Sequence, residues 1–139
     1  MTTAAPANVE LRIPRRPEYV RVARMAACAL AAQLDFTFDL VKDIELAVGE
    51  ACTNAVEHVA KEACSEVLLR FSVLEDRLTI EVIDHGQGFD AQRVLNGDAE
   101  EGEGGLGLQV IRAVMDELDV QCGQGVGTCV RMVKYRARS

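Results

Sequence analysis

No run in this sequence approaches the roughly 20 apolar residues that a membrane-spanning helix needs. The opening MTTAAPANVE has neither a basic start nor an apolar core, so no secretory signal is expected there. There is no G-x-x-x-x-G-K-[ST] run, which excludes a P-loop. There is also no C-x-x-C pair. Cys28, Cys52, Cys64, Cys122 and Cys129 are odd in number and read as small hydrophobes rather than metal ligands or disulfide partners, which makes the cytoplasm the default compartment. Basic charge is in deficit, with 15 Lys and Arg against 22 Asp and Glu and a net charge of −7. That balance argues against general binding to a nucleic-acid backbone and leaves docking onto a basic protein open. No repeat, low-complexity segment or linker divides the 139 residues, so one domain is expected, with residues 1–8 and 136–139 frayed.

What is present changes period several times. Val9 to Ile13 alternates like a strand that Pro14 and Pro17 close. Glu18 to about Leu34 is helical, with Val22, Met25, Ala26, Ala29 and Leu30 on one side. Thr37 is placed to cap a second helix through Val41, Ile44, Val48, Ala51, Ala55 and Val59, ending near Lys61. Glu66 to Val73 and Arg77 to Asp84 read as strands of a hairpin joined at Leu74-Glu75-Asp76. The polar, glycine-rich stretch from Gln87 to Gly105 reads as a mobile loop. Leu106 to Leu118 is helical, Val120 to Cys122 and Thr128 to Val133 are strand-like, and Lys134 to Arg138 reads as a basic, frayed tail. The order βααββαββ does not alternate as a doubly wound fold would. It favours a two-layer α/β sandwich, with a mixed, mostly antiparallel sheet and the helices on one face.

Four short motifs carry chemistry. Glu50 and Asn54 lie four residues apart and therefore on one helix face, where a carboxylate can take a proton and an amide oxygen can ligate Mg²⁺. An isolated E-x-x-x-N is more commonly a solvated face. Asp84-x-Gly86-x-Gly88 ends a strand; Asp84 can accept from an amino group such as that of adenine, although Asp and Gly also make ordinary turns. Gly104-Gly105-Leu106-Gly107-Leu108 opens a helix, whose free N–H groups and dipole suit phosphate. Gly102-x-Gly104-x-x-Gly107 matches a dinucleotide fingerprint in letters only, because no strand leads into it. Gly127-Thr128 starts the last strand.

In this order the motifs resemble the ATP-binding (Bergerat) domain shared by gyrase, Hsp90, histidine kinases and the mismatch-repair ATPase. Glu50-x-x-x-Asn54 matches its N box, Asp84-x-Gly86-x-Gly88 its first glycine box and Gly105-Leu106-Gly107-Leu108 its second. Within that superfamily the chain is most similar to the anti-sigma-factor serine kinases of the RsbW type. The resemblance runs from Ile13 to Tyr135 and is closest over Glu50 to His58, Glu75 to Leu78, Glu103 to Leu108 and Val114 to Leu118. It implies that Glu50 is a general base acting on a serine hydroxyl and that Asn54 holds Mg²⁺ against the phosphates of ATP or ADP. By the same resemblance Asp84 reads adenine, Gly86 and Gly88 shape the pocket, Thr128 supports the base through water, and Gly105, Leu106, Gly107 and Leu108 cradle phosphates. The implied partners are a serine of an anti-anti-sigma protein, a sigma factor and a second copy in a homodimer.

The sequence departs from the pattern in a short segment between Gly88 and Gly104, where Arg93 is the only basic residue, so the family's cation near the γ-phosphate is in doubt. His58, on the Asn54 side of its helix, can equally be a structural helix-end residue. Two other readings stay open: a non-catalytic nucleotide-dependent binding module, and a detached histidine-kinase ATPase domain.

Overall fold

The computed structural model describes residues 6–57, 66–84, 105–123 and 127–136. Residues alternating between core and solvent build five strands: β1 (Ala7–Pro14), β2 (Glu66–Val73), β3 (Arg77–Asp84), β4 (Glu117–Gly123) and β5 (Gly127–Tyr135). They form one sheet in the order β1-β2-β3-β5-β4, and every neighbouring pair is antiparallel. Among the described residues three helices accompany it: α1 (Val20–Gln33), entered through a short 3₁₀ turn at Pro17–Tyr19, α2 (Phe38–Glu57) and α3 (Gly105–Val114). Val67, Leu69, Phe71, Leu78, Ile80, Val82, Val130 and Met132 point from one sheet face into the core beneath the helices. The two-layer α/β architecture expected from the element order is the one observed, and among the described strands the sheet is antiparallel throughout rather than mixed.

The other sheet face carries a row of charged side chains across its middle. Glu10, Arg70, Glu81, Arg131 and Asp119 are successive cross-strand partners and alternate in sign across all five strands. Opposite charges placed directly across antiparallel strands stabilise the pairing, and the Arg70–Glu10 pair closes at 3.1 Å.

Several local expectations need correction. Helix α1 does not bury the stripe with Val22 and Met25, which are exposed; it buries Val20, Ala23, Ala27 and Ala31. Small residues let α1 approach α2 closely, so the larger side chains are left outside. Helix α3 stops at Val114, and Leu118 belongs to β4, because the Asp116 N–H bonds to Val133 O at 2.9 Å instead of continuing the helix. Ala7 and Asn8 are not frayed; they pair with Val73 and Ser72. Lys134 and Tyr135 are not a loose tail but the end of β5, with Lys134 buried.

The loop between α1 and α2 explains how α2 is aimed. Asp35 adopts a left-handed conformation with φ 59°, which ends α1. Two residues later Thr37 Oγ1 accepts the Leu40 N–H at 3.3 Å and caps α2, as the sequence predicts.

Candidate functional site

Helix α2 turns Ile44, Ala47, Val48, Ala51 and Ala55 into the core and sets Glu50 and Asn54 one turn apart along the edge of that apolar stripe. The edge is deeper at Asn54, which is only 7% exposed, than at Glu50, which is half-buried. Asn54 Nδ2 is buried and has no hydrogen-bond partner among the described residues. A buried amide donor left this way carries a desolvation cost of about 1–3 kcal/mol unless a ligand accepts from it.

Helix α3 brings the glycine motif to the same place. A Cβ built on Gly107 would lie 3.0 Å from Asn54 Nδ2, 3.2 Å from Asn54 Oδ1 and 3.1 Å from Glu50 Oε2. Backbone therefore packs directly on both polar side chains, an approach that only glycine permits. Leu108, next to Gly107, is fully buried and anchors the helix in the core, whereas the Leu106 side chain is exposed. The first turn of α3, from Gly105, carries the unshared N–H groups of a helix start. Motifs more than 50 residues apart in sequence thus meet within van der Waals distance.

Asp84 and Thr128 occupy a second locus, at the ends of β3 and β5. They are register partners on the helix-facing side of the sheet, and they are 5% and 4% exposed. A carboxylate and a hydroxyl buried side by side can present an acceptor and a donor–acceptor to one ligand edge. Gly86, Gly88, His58, Arg93 and the segment between Gly88 and Gly104 lie outside the described residues.

Sequence reasoning missed one feature that touches Glu50. An open cleft of 630 Å³ lies between the 3₁₀ turn, α1 and α2, and its lining includes Glu18, Arg21, Arg24, Glu45, Gly49 and Glu50. The stem of Arg24 lies across Gly49, where a Cβ would come within 3.0 Å of Arg24 Cδ, and Arg24 Nε is buried without a partner among the described residues. The available signal was Gly49 itself, since glycine inside a helix costs roughly 1 kcal/mol and marks a close approach.

The described cysteines, Cys28, Cys52 and Cys129, behave as packing residues. Burial pushes the Cys52 thiol up to about 12 and the Cys129 thiol up to about 11. Cys28 is raised as well, first by burial and then by its 3.5 Å hydrogen bond to Glu45. Among the described residues no helix is long and apolar enough to cross a membrane.

A helix carboxylate and amide under a glycine helix start, beside an antiparallel sheet with a buried Asp–Thr pair, define a class. The chain belongs to the family described as "Histidine kinase-like ATPase domain", which matches residues 13–134. Among its relatives, the "Serine-protein kinase RsbW" of Bacillus subtilis strain 168 is 41% identical over 137 residues, covering 91% of this chain and 84% of that protein. The protein of the same name from Bacillus licheniformis is 40% identical over 140 residues, covering 94% and 86%. In fold, the chain is similar to the structure of the RsbU and RsbW domains of a Mycobacterium tuberculosis protein. That match has a TM-score of 0.71 at 20% identity, over 95% of this chain and 33% of the other. It is also similar to a histidine kinase domain from Erythrobacter litoralis, with a TM-score of 0.59 at 23% identity, over 89% of this chain and 62% of that one.

Proposed function

We propose that this protein is a serine-protein kinase that uses ATP and Mg²⁺ to phosphorylate a serine of an anti-anti-sigma protein, and that it also holds a sigma factor inactive. The observation that carries the reading is the packing of Gly107 on Glu50 and Asn54, which places a helix start, an amide and a carboxylate at one point. Kinship with proteins named serine-protein kinase at 40–41% identity supports the same activity.

The residues fit the cofactor. Asn54 Nδ2 is an orphaned donor facing the start of α3, where phosphate oxygens are the natural acceptors, and Asn54 Oδ1 is a hard oxygen ligand of the kind Mg²⁺ prefers. Gly107 leaves the space that a side chain would fill. Bound ATP with Mg²⁺ supplies the transferable phosphoryl group and a charge to offset its oxygens. Asn54 then binds and orients, as do the N–H groups of Gly105, Leu106, Gly107 and Leu108. Asp84 would accept from the adenine amino group and Thr128 would support the base; Gly86 and Gly88, outside the described residues, are assigned to the same pocket by the family resemblance alone. Glu50 takes the proton of the acceptor serine hydroxyl on its carboxylate. Glu50 is also one of the residues lining the open cleft on the α1 side, a surface on which a partner's serine segment would dock. Phosphoryl transfer depends chiefly on positioning and electrostatics, so a site built from one base and several dipoles is sufficient. The surface charge of −7 suits a protein rather than a nucleic-acid partner, and the reading includes a cytoplasmic homodimer.

The test is incubation of the purified protein with labelled ATP, Mg²⁺ and the anti-anti-sigma proteins of its own genome. Phosphoserine on one of them, dependent on Glu50, is expected. ATP binding with no transfer to any of them would instead favour a nucleotide-dependent binding module.

A further inference from the structure

The most deeply placed cation among the described residues lies at the far end of α3. Lys134 sits on the helix-facing side of β5 opposite the fully buried Leu78, and its side chain is 8% exposed. Its Nζ donates to the carbonyl of Val114, the last residue of α3, and lies 3.2 Å from Asp43 Oδ2 on α2. One ammonium therefore ties together β5, the end of the helix whose start meets Asn54, and the helix that carries Asn54.

We infer that Lys134 is a positioning residue for the nucleotide site and acts through α3. The inference rests on the assignment of the α3 start to phosphate. Lys134 is buried but the Asp43 side chain is 37% exposed. Taking a lysine ammonium out of water costs free energy that one partly solvated partner does not clearly return, so stability alone does not account for the pair. What the ammonium does supply is position: it bonds to one carbonyl at the negative end of the helix dipole, and an axial shift of α3 leaves the charge unmatched. Gly107 and Val114 are seven residues apart, about 10 Å along the axis, and one residue of slippage moves the helix by about 1.5 Å. At the Gly107 end even a methyl would lie 3.0 Å from Asn54 Nδ2, so a shift of that size drives backbone into the site or opens a gap above it. Lys134 fixes the end of the helix opposite the assigned phosphate site. The turn after α3 is held separately, by Asp116 N–H to Val133 O at 2.9 Å and Tyr135 N–H to Asp116 Oδ2 at 2.7 Å. Loss of the ammonium therefore leaves the corner attached and Leu108 and Ile111 in the core, but removes the polar contact that fixes the axial position and tilt of α3.

The experiment compares Lys134→Met, Lys134→Arg, Asp43→Asn and Gly107→Ala in the full chain. Its readouts are ATP affinity by calorimetry, thermal melting, and hydrogen exchange at residues 105–108 with and without Mg²⁺–ADP. Lys134→Met should stay folded yet bind ATP on the order of ten- to hundredfold more weakly, with less protection at 105–108. Lys134→Arg should restore most of the affinity, because a guanidinium still reaches Val114 O and Asp43. Asp43→Asn should weaken binding by a smaller factor. A folded Lys134→Met with unchanged affinity and exchange overturns the inference, as does equal impairment by Met and Arg. If Lys134→Met does not fold, unchanged affinity in Asp43→Asn overturns it. Intact ATP binding in Gly107→Ala brings down the phosphate assignment and this inference with it. A crippled Gly107→Ala beside an unaffected Lys134→Met removes the inference alone.

Discussion

Gly107 and Asn54 touch with no room for a side chain between them: a methyl on Gly107 would sit 3.0 Å from Nδ2 and 3.2 Å from Oδ1 of the amide. The pair joins the two most distant halves of the site, one from α2 and one from α3. Gly107→Ala should therefore leave the core packing around Leu108 and Ile111 intact while pushing the helix start off Asn54 and Glu50. ATP affinity should fall by about one to two orders of magnitude, a typical penalty for misplacement near 1 Å. Calorimetric titration checks it, with circular dichroism to show that the fold is kept.

Glu50 separates binding from chemistry. Glu50 is one of the residues lining the open cleft, and its carboxylate Oε2 lies against Gly107. Glu50→Gln keeps the shape and removes the base, so serine phosphorylation should drop by about 10²–10⁴ with ATP affinity nearly unchanged. Asn54→Ala should lose binding and transfer together. Transfer at the normal rate by the Glu50→Gln protein would reduce Glu50 to a helix-face charge.

The sequence makes much of this site legible because its information is local: Glu50 and Asn54 share a helix face, Asp84 ends a strand, and Gly105-Leu106-Gly107-Leu108 opens a helix. Both hairpin strands at 66–73 and 77–84 were readable from alternation and turn chemistry. What periodicity could not supply is choice between faces. In α1 an alanine stripe packs inward and Met25 stays outside, because close helix contact favours small residues over hydrophobic ones. Lys134 was misread for a related reason: a lysine after a strand pattern looks solvated until its partners, Asp43 and the carbonyl of Val114, are known. The end of α3 was misplaced because a tertiary bond from Asp116 to Val133 overrides helical propensity.

Cys52 gives a prediction about pH. Its thiol is fully buried and is pushed up from 9.0 to about 12 by desolvation. The unfolded chain loses this proton near pH 9 and the folded protein does not, so below pH 9 the group costs nothing. As pH rises from 9 toward 12 the unfolded state is favoured, by up to about 1.4 kcal/mol per pH unit. Urea melts across pH 8–10.5 should show a shallower alkaline loss of stability for Cys52→Ala than for the parent. Parallel slopes would mean that Cys52 ionises as easily folded as unfolded.

The last prediction concerns base selection at the sheet end of the site. Asp84 and Thr128 face each other across β3 and β5, both nearly excluded from water, so whatever they bind is discriminated by hydrogen bonding rather than by contact area. A carboxylate only accepts, which matches an exocyclic amino group and opposes a carbonyl. Adenine offers the first at the position where guanine offers the second. In the parent protein the site should prefer ATP over GTP strongly, since a buried polar group left facing its own kind costs about 1–3 kcal/mol. Asp84→Asn keeps the shape but gives the side chain both a donor and an acceptor, so it should weaken ATP binding about tenfold or more and narrow the ATP-to-GTP ratio. Competitive titration of the two nucleotides against each protein measures that ratio directly. Equal affinities for ATP and GTP in the parent would remove base reading from Asp84 and leave it a structural partner at the strand end.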